Sequence, residues 1–170
     1  MSITTVTVFG GTGFVGRAIA RTLRARGLAV RVAARHAPSA PDTAERFYRT
    51  DVRDPDHVQR AVEGADLVVN AVSLYTERPG LTFGGIHVDA AARIAASARA
   101  AGAQGLVQLS GIGANAESDA PYVAARARGE TAVHAEWPDA VILRPSVVFG
   151  PGDAFVSTLA RVTRLPLVPL

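Results

Sequence analysis

The segment Gly10-Gly11-Thr12-Gly13-Phe14-Val15-Gly16 constrains this chain most. It stands between an apolar run, Ile3-Thr4-Thr5-Val6-Thr7-Val8-Phe9, and the helix-like stretch from Arg17 to Leu23. A strand must become a helix through that turn. Glycine allows the chain to bend tightly, the backbone to approach an anion without a Cβ in the way, and the helix to pack close to the strand. The amides and positive dipole end of a helix starting there make a phosphate cradle. The spacing fits Gly-x-Gly-x-x-Gly as Gly11, Gly13 and Gly16, and also a wider register that begins at Gly10. The strand before and the helix after supply the context that a lone glycine match lacks.

Composition narrows the setting. With 170 residues, 48% of them hydrophobic, the chain is long enough for one ordinary domain with a buried core, expected to span residues 1–170. Cysteine is absent, which excludes disulfides and thiolate metal sites and leads to the expectation of a cytoplasmic protein, or one peripheral to a membrane complex. No leader pattern and no membrane span are apparent. The net charge is +3 and the pI near 10.1, yet the arginines are scattered among acids, so nucleic acid is not an expected partner. All 18 basic residues are arginine. His57, His87 and His134 stand alone, without a second ligand at helical spacing, so no metal site is expected.

Along the chain, strands and helices alternate. Leu28 to Ala34 reads as a second strand stopping at Arg35-His36, and Pro38 and Pro41 punctuate the loop beyond it. Arg46 to Thr50 gives a short third strand ending at Asp51, and Pro55 to Val62 has helical spacing. Asp66 to Val72 is nearly continuous in apolar residues, as suits a strand covered on both faces. Residues 73–85 read as an irregular loop, His87 to Ala101 as a helix, Leu106 to Ser110 as strand five, Tyr122 to Glu136 as a helix stopped by Trp137 and Pro138, and Ala140 to Arg144 as strand six. The pattern predicts an α/β fold: a doubly wound parallel sheet of Rossmann type, three layers α/β/α, strand order 3-2-1-4-5-6. Ligands of such sheets lie across the carboxyl ends of the strands. Gly11, Arg35, Asp51, Asn70, Ser110 and Pro145 fall at or just beyond those ends.

Which dinucleotide would bind turns on the end of strand two. No Asp or Glu lies between Gly16 and Asp42 to take a ribose 2′-hydroxyl, and Arg35 suits an additional phosphate. The expectation is therefore NADP(H), with NAD(H) as the alternative and a merely solvent-facing Arg35 as the plain reading. Asp51 either reaches the adenine or caps the turn into Pro55.

These residues resemble the extended and atypical short-chain dehydrogenase/reductase superfamily, of the NAD-dependent epimerase/dehydratase kind. The similarity runs through the glycine turn, Asp51-Val52, Asn70-Ala71, Leu106 to Ser110, Tyr122 with Gly129-Glu130, and Arg144-Pro145-Ser146-Val147-Val148-Phe149-Gly150-Pro151-Gly152-Asp153. Gly111-Ile112-Gly113-Ala114 through Tyr122, with the stretch from Arg144, looks most like the branch that includes the dinucleotide-binding accessory subunit of respiratory complex I. The resemblance implies cofactor contacts from Gly10, Gly11, Thr12, Gly13, Phe14, Val15, Gly16, Arg35, Asp51, Val52, Asn70, Ala71, Pro145 and Val147. It also implies a catalytic set in which a serine and a tyrosine exchange a proton with the substrate and a lysine four residues after the tyrosine supports both. Ser110 and Tyr122 match; the lysine position is Arg126. An arginine is bulkier and planar, with fixed donors, so weak or absent turnover is expected, as is a structural or regulatory role. The alternative is an active NADP-dependent oxidoreductase or epimerase using Ser110, Tyr122 and Arg126; a nucleotide-free structural subunit fits less well with an intact glycine turn. Relatives of this kind continue into a smaller C-terminal lobe, which is expected to be absent or truncated here. The apolar ending Leu165-Pro166-Leu167-Val168-Pro169-Leu170 is expected to pack on a protein partner or a second copy.

Overall fold

In the computed structural model of the protein, residues 2–37 and 46–150 are described, with Asp153, Thr158 and Val162. The loop around Pro38 and Pro41 and the apolar ending from residue 163 lie outside the described residues.

The sheet is built from β1 (Thr5–Phe9), β2 (Ala29–Ala34), β3 (Arg46–Arg49), β4 (Leu67–Asn70), β5 (Gly105–Leu109) and β6 (Val141–Leu143). All its pairs are parallel, and the order is 3-2-1-4-5-6, as the alternation of elements requires. In the central register Val8 pairs with Val32 on one side and Val69 on the other. Strand β1 is buried on both faces because helices cover both.

On one face lies α1 (Phe14–Ala25), which buries Ala20 and packs Ile19 and Leu23 on Val6, Val8, Val30, Val32 and Val69. On the other lie α2 (Pro55–Val62), α3 (Ala90–Ala100) and α4 (Pro121–Glu136), around a core of Phe9, Val58, Val68, Ile94, Leu106 and Val133. Helix α1 stops at Gly27, whose φ of +83° continues the chain where a Cβ would be strained. Helix α2 starts on Asp54, which accepts from the amides of Asp56 and His57, with Pro55 at the first helical position.

One element differs from the sequence pattern. A π-helical turn, Gly84–Asp89, runs directly into α3, so the helix starts three residues before His87. Thr82 sets it up: its Oγ1 accepts from Gly85 N at 3.0 Å and its carbonyl from Ile86 N at 3.1 Å. The wider turn swings Ile86 and His87 inward, where both are buried. Against this turn α4 packs so closely that a Cβ on Gly129 would overlap the His87 carbonyl.

Asp66 ties together the amino-terminal ends of the central strands β1, β4 and β5. Its Oδ2 accepts from Thr4 Oγ1 at 2.7 Å and from the amides of Thr4 and Thr5 at 2.8 Å, while Gln104 donates to Oδ1 at 3.2 Å. The Thr4 hydroxyl first, then the two amides, hold its carboxyl down to about 2. A carboxylate depressed in the folded state stabilises above its unfolded value and ceases to do so as pH falls through the folded one. Acid unfolding is therefore expected between about pH 4 and pH 2, and Asp66→Asn should flatten that dependence in a circular-dichroism titration. Gly129→Ala should cost about 3 kcal/mol in a denaturant titration, because two backbones would have to separate.

Candidate functional site

Three glycines of the turn after β1 do three different jobs. Gly10, at φ +72°, reverses the chain, and a Cβ there would press on the Ala71 carbonyl carbon at 2.9 Å. Gly11 leaves room for the Val32 side chain, also at 2.9 Å. A Cβ on Gly16 would overlap the Gly10 carbonyl, so α1 can approach the turn only with glycine at this position. Gly13 N donates to Gly10 O at 2.9 Å and closes the loop.

The first turn of α1 has no cap. Gly13 at its N-cap offers no side chain, no acid follows it, and the first amide with a helix-type bond outside the element is Arg17, to Gly13 O at 2.9 Å. The amides of Phe14, Val15 and Gly16 meet no acceptor among the described residues. Helix α2 satisfies its own amides through Asp54; α1 leaves its amides pointing into a cleft.

That cleft, of about 320 Å³, is lined by Gly10, Thr12, Gly13, Phe14, Val15 and Gly16, and beyond them by Arg35, Asp51, Val52 and Ala71. Four cofactor candidates from the sequence are not on its wall: Pro145 and Val147 line a neighbouring cleft, and Gly11 and Asn70 lie beneath. Gly11 packs under it against Val32. Asn70 is buried: it donates to Gln108 Oε1 at 2.8 Å and accepts from Val72 N at 3.1 Å, fixing the bend at Ala71 from below. Asp51 lines the cleft while gripping Arg53, whose Nε donates to Oδ1 at 2.9 Å. This bond is the main cause that holds its carboxyl down to about 2, with Arg35 a smaller one. The cap of α2 belongs to Asp54, not to Asp51.

A second cleft of about 540 Å³ adjoins the first through Phe14, Val15 and Ala71, and reaches Ser110, Tyr122, Arg126, Pro145 and Val147. Tyr122 and Arg126 lie one turn apart on α4. Arg126 Nε donates to Tyr122 Oη at 2.8 Å, its guanidinium lies 5.1 Å from the centre of the phenol ring, and Nη2 donates to Ser73 Oγ at 3.1 Å. Its remaining Nη1 is buried with no partner, and so is Ser110 Oγ. Ser110 itself is held by its amide, which donates to Leu143 O at 2.7 Å.

Behind Tyr122 stands His87, edge-on at 5.5 Å between ring centres, with Phe83 at 5.6 Å and Tyr75 stacked on the outer side at 5.7 Å. Burial pushes the His87 imidazole below its ordinary value, and Nε2 lies 3.0 Å from Leu74 O. One turn further along α4, Glu130 is buried and accepts from Arg144 Nε at 3.0 and 3.1 Å. Burial pulls its carboxyl upward, but Arg144 outweighs this and leaves it lowered. Ser110 leans toward the same carboxylate without completing a bond of acceptable geometry. The pair joins α4 to the segment that leads into Pro145 and Val147. Sequence reasoning missed Ser73 and the inward His87, and it reached Gly129 and Glu130 only through the resemblance; the four-residue steps from Tyr122 to Arg126 to Glu130 place these three on one helix face.

Residues 6–165 match the model of the NAD dependent epimerase/dehydratase family. The chain belongs to that family. It is 31% identical over 172 residues to the rat mitochondrial protein NADH dehydrogenase [ubiquinone] 1 alpha subcomplex subunit 9, covering 96% of this chain and 46% of that protein. It is 33% identical over 169 residues to the ceramide reductase of Caulobacter vibrioides, covering 97% and 53%. The family member thus spans about half the length of the curated relatives it matches. Among solved structures, the Thermus thermophilus UDP-glucose 4-epimerase complex with NAD superposes with a TM-score of 0.79 at 26% identity, covering 96% of this chain and 64% of that one. The Bordetella bronchiseptica enzyme WbmG in complex with NAD gives 0.73 at 20%, covering 94% and 60%, and shares the fold.

Two expectations are corrected by these relatives. The preference for NADP(H) is overturned, because the similar structures were captured with NAD. Physically, Arg35 does not make its end of the cleft purely cationic: the ionised Asp51 lines the same wall. The cytoplasmic expectation is overturned by the alpha subcomplex relatives of rat, mouse, Dictyostelium and Arabidopsis, all mitochondrial proteins. Absence of cysteine does not separate one reducing compartment from another. No helix among the described residues is long and apolar enough to cross a membrane.

Gly16→Ala should lower stability by about 2 kcal/mol or more, since the new methyl group must push the Gly10 carbonyl aside. Gly13→Ala, whose Cβ would stand 3.2 Å from the same oxygen, should cost distinctly less in the same denaturant titration.

Proposed function

We propose that residues 1–170 form one dinucleotide-binding domain that holds NAD(H) across the carboxyl ends of the strands, and that the site is an oxidoreductase site with slow turnover. What supports the first part is the cradle: three free amides at a glycine-lined helix start, opening into a cleft that continues to Arg35 and Asp51. The group fits the residues, because the diphosphate supplies the acceptors that α1 lacks and Gly10 and Gly16 leave it room. In this reading Thr12, Phe14, Val15, Val52 and Ala71 line the nucleotide, Asn70 acts from beneath, and Pro145 and Val147 close the far end. When bound, the dinucleotide supplies or accepts a hydride.

The protein's own share is the proton. Tyr122 Oη would give it to, or take it from, the substrate oxygen, with Ser110 Oγ as a second donor on that oxygen. The observation that carries this reading is the Arg126 Nε bond to Tyr122 Oη at 2.8 Å, with the guanidinium anchored on Ser73. Arginine takes up the lysine position and still supports the phenol oxygen. Its planar fork cannot follow a moving proton and ribose as a compact ammonium can, which is the reason for slow turnover. A second reading is favoured by the same arginine: a holder of dinucleotide without turnover, in a structural or regulatory role, as an accessory subunit of a respiratory complex would be. Its protein partner would be met through apolar surface.

Calorimetry should show NADH binding, and stopped-flow oxidation of bound NADH by a carbonyl compound should be slow. Arg126→Lys should raise that rate roughly tenfold, and Tyr122→Phe should abolish it. Equal rates for the arginine and lysine forms would contradict the role given to Arg126. Binding with no oxidation by either form would leave the holder reading.

A further inference from the structure

The second cleft has a one-sided chemistry. Its polar groups gather at the inner end, where Ser73, Ser110, Tyr122 and Arg126 meet, and Ser110 Oγ is buried without a partner although the residue is only 6% exposed. A buried hydroxyl at the wall of a cleft that completes no hydrogen bond of its own, with only the Glu130 carboxylate near it, is satisfied by a ligand that brings an oxygen. Away from that point the walls are Val72, Leu109, Val123 and Val148, and the mouth carries Ile112 at 73% and Val147 at 66% exposure. The β5 and β6 loops that present these two are bonded together, Ile112 N to Pro145 O at 2.9 Å. The remaining polar side chains of the lining are the exposed Tyr75 and Ser146 and the buried Asp153, whose carboxylate accepts from Gly150 N at 3.2 Å. A polyhydroxylated ligand would lose hydrogen bonds to water along these walls and regain few. An aliphatic chain gains at each methylene.

We propose that this cleft takes an aliphatic-chain ketone or the corresponding secondary alcohol, with its oxygen at Ser110 and Tyr122 and its chain against Ile112, Val147 and Val148. The proposal rests on the dinucleotide reading above and adds the substrate class. Saturating NAD+ is titrated first by calorimetry; no turnover follows in that oxidised ternary complex with a ketone. A series of methyl ketones from butanone to octanone, and separately UDP-glucose, is then added.

Ketone affinity should rise roughly three- to fourfold per methylene, with UDP-glucose not binding. Ser110→Ala should weaken every ketone by a common factor and keep the increment per methylene. The surface pair Ile112→Ser with Val148→Ser, neither of which is placed against the nucleotide, should flatten the increment and leave NAD+ affinity unchanged. Length-independent ketone affinity, or UDP-glucose binding in preference to octanone, overturns the proposal while leaving the dinucleotide reading in place. Failure of NAD+ to bind at the first step overturns both. An increment untouched by the surface pair also overturns it, since the chain would then lie elsewhere.

Discussion

The uncapped first turn of α1 governs the rest of the molecule. A helix normally meets its first amides with a side chain of its own, as α2 does with Asp54. In α1 the glycines that let the helix approach β1 also remove every side chain that could serve as a cap. Close packing and an open anion site are therefore one device. The parallel sheet adds direction: with β1, β2, β4 and β5 all ending on the same side, the cradle, Arg35, Asp51 and Ser110 open toward one continuous pair of clefts.

The second cleft depends on α4 in a similar way. Gly129 lets the helix touch the backbone of the π turn, and this fixes how far Tyr122 and Arg126 reach over the sheet. Glu130 and Arg144 then tie the same helix to the segment carrying Pro145 and Val147. Ser73 completes the frame from the end of β4. The tyrosine is thus held between His87 behind it, Tyr75 outside it and the guanidinium on its oxygen.

Much of this was legible in the sequence. The glycine turn between an apolar run and a helix pattern located the cradle, and the alternation of elements led to the sheet order, because parallel strands with right-handed crossovers admit few arrangements. The four-residue step from Tyr122 to Arg126 put both on one helix face. What was not legible depends on tertiary contact. Gly84-Gly85 reads as loop, and only Thr82 and the packing of α4 turn it into a π turn that buries His87. Asn70 sits at a strand end where ligands gather, yet its amide is spent on Gln108. Arg35 shows the limit of reading charge one residue at a time: its effect depends on Asp51, brought beside it from another strand.

The most direct test of the central claim follows the backbone amides themselves, by nitrogen-15 nuclear magnetic resonance during a titration with NAD+. The amides of Phe14, Val15 and Gly16 should move furthest and gain protection from exchange, while those of Asp56 and His57, already capped, should stay still. If the first turn of α1 is silent while other regions respond, the glycine turn is not a diphosphate site.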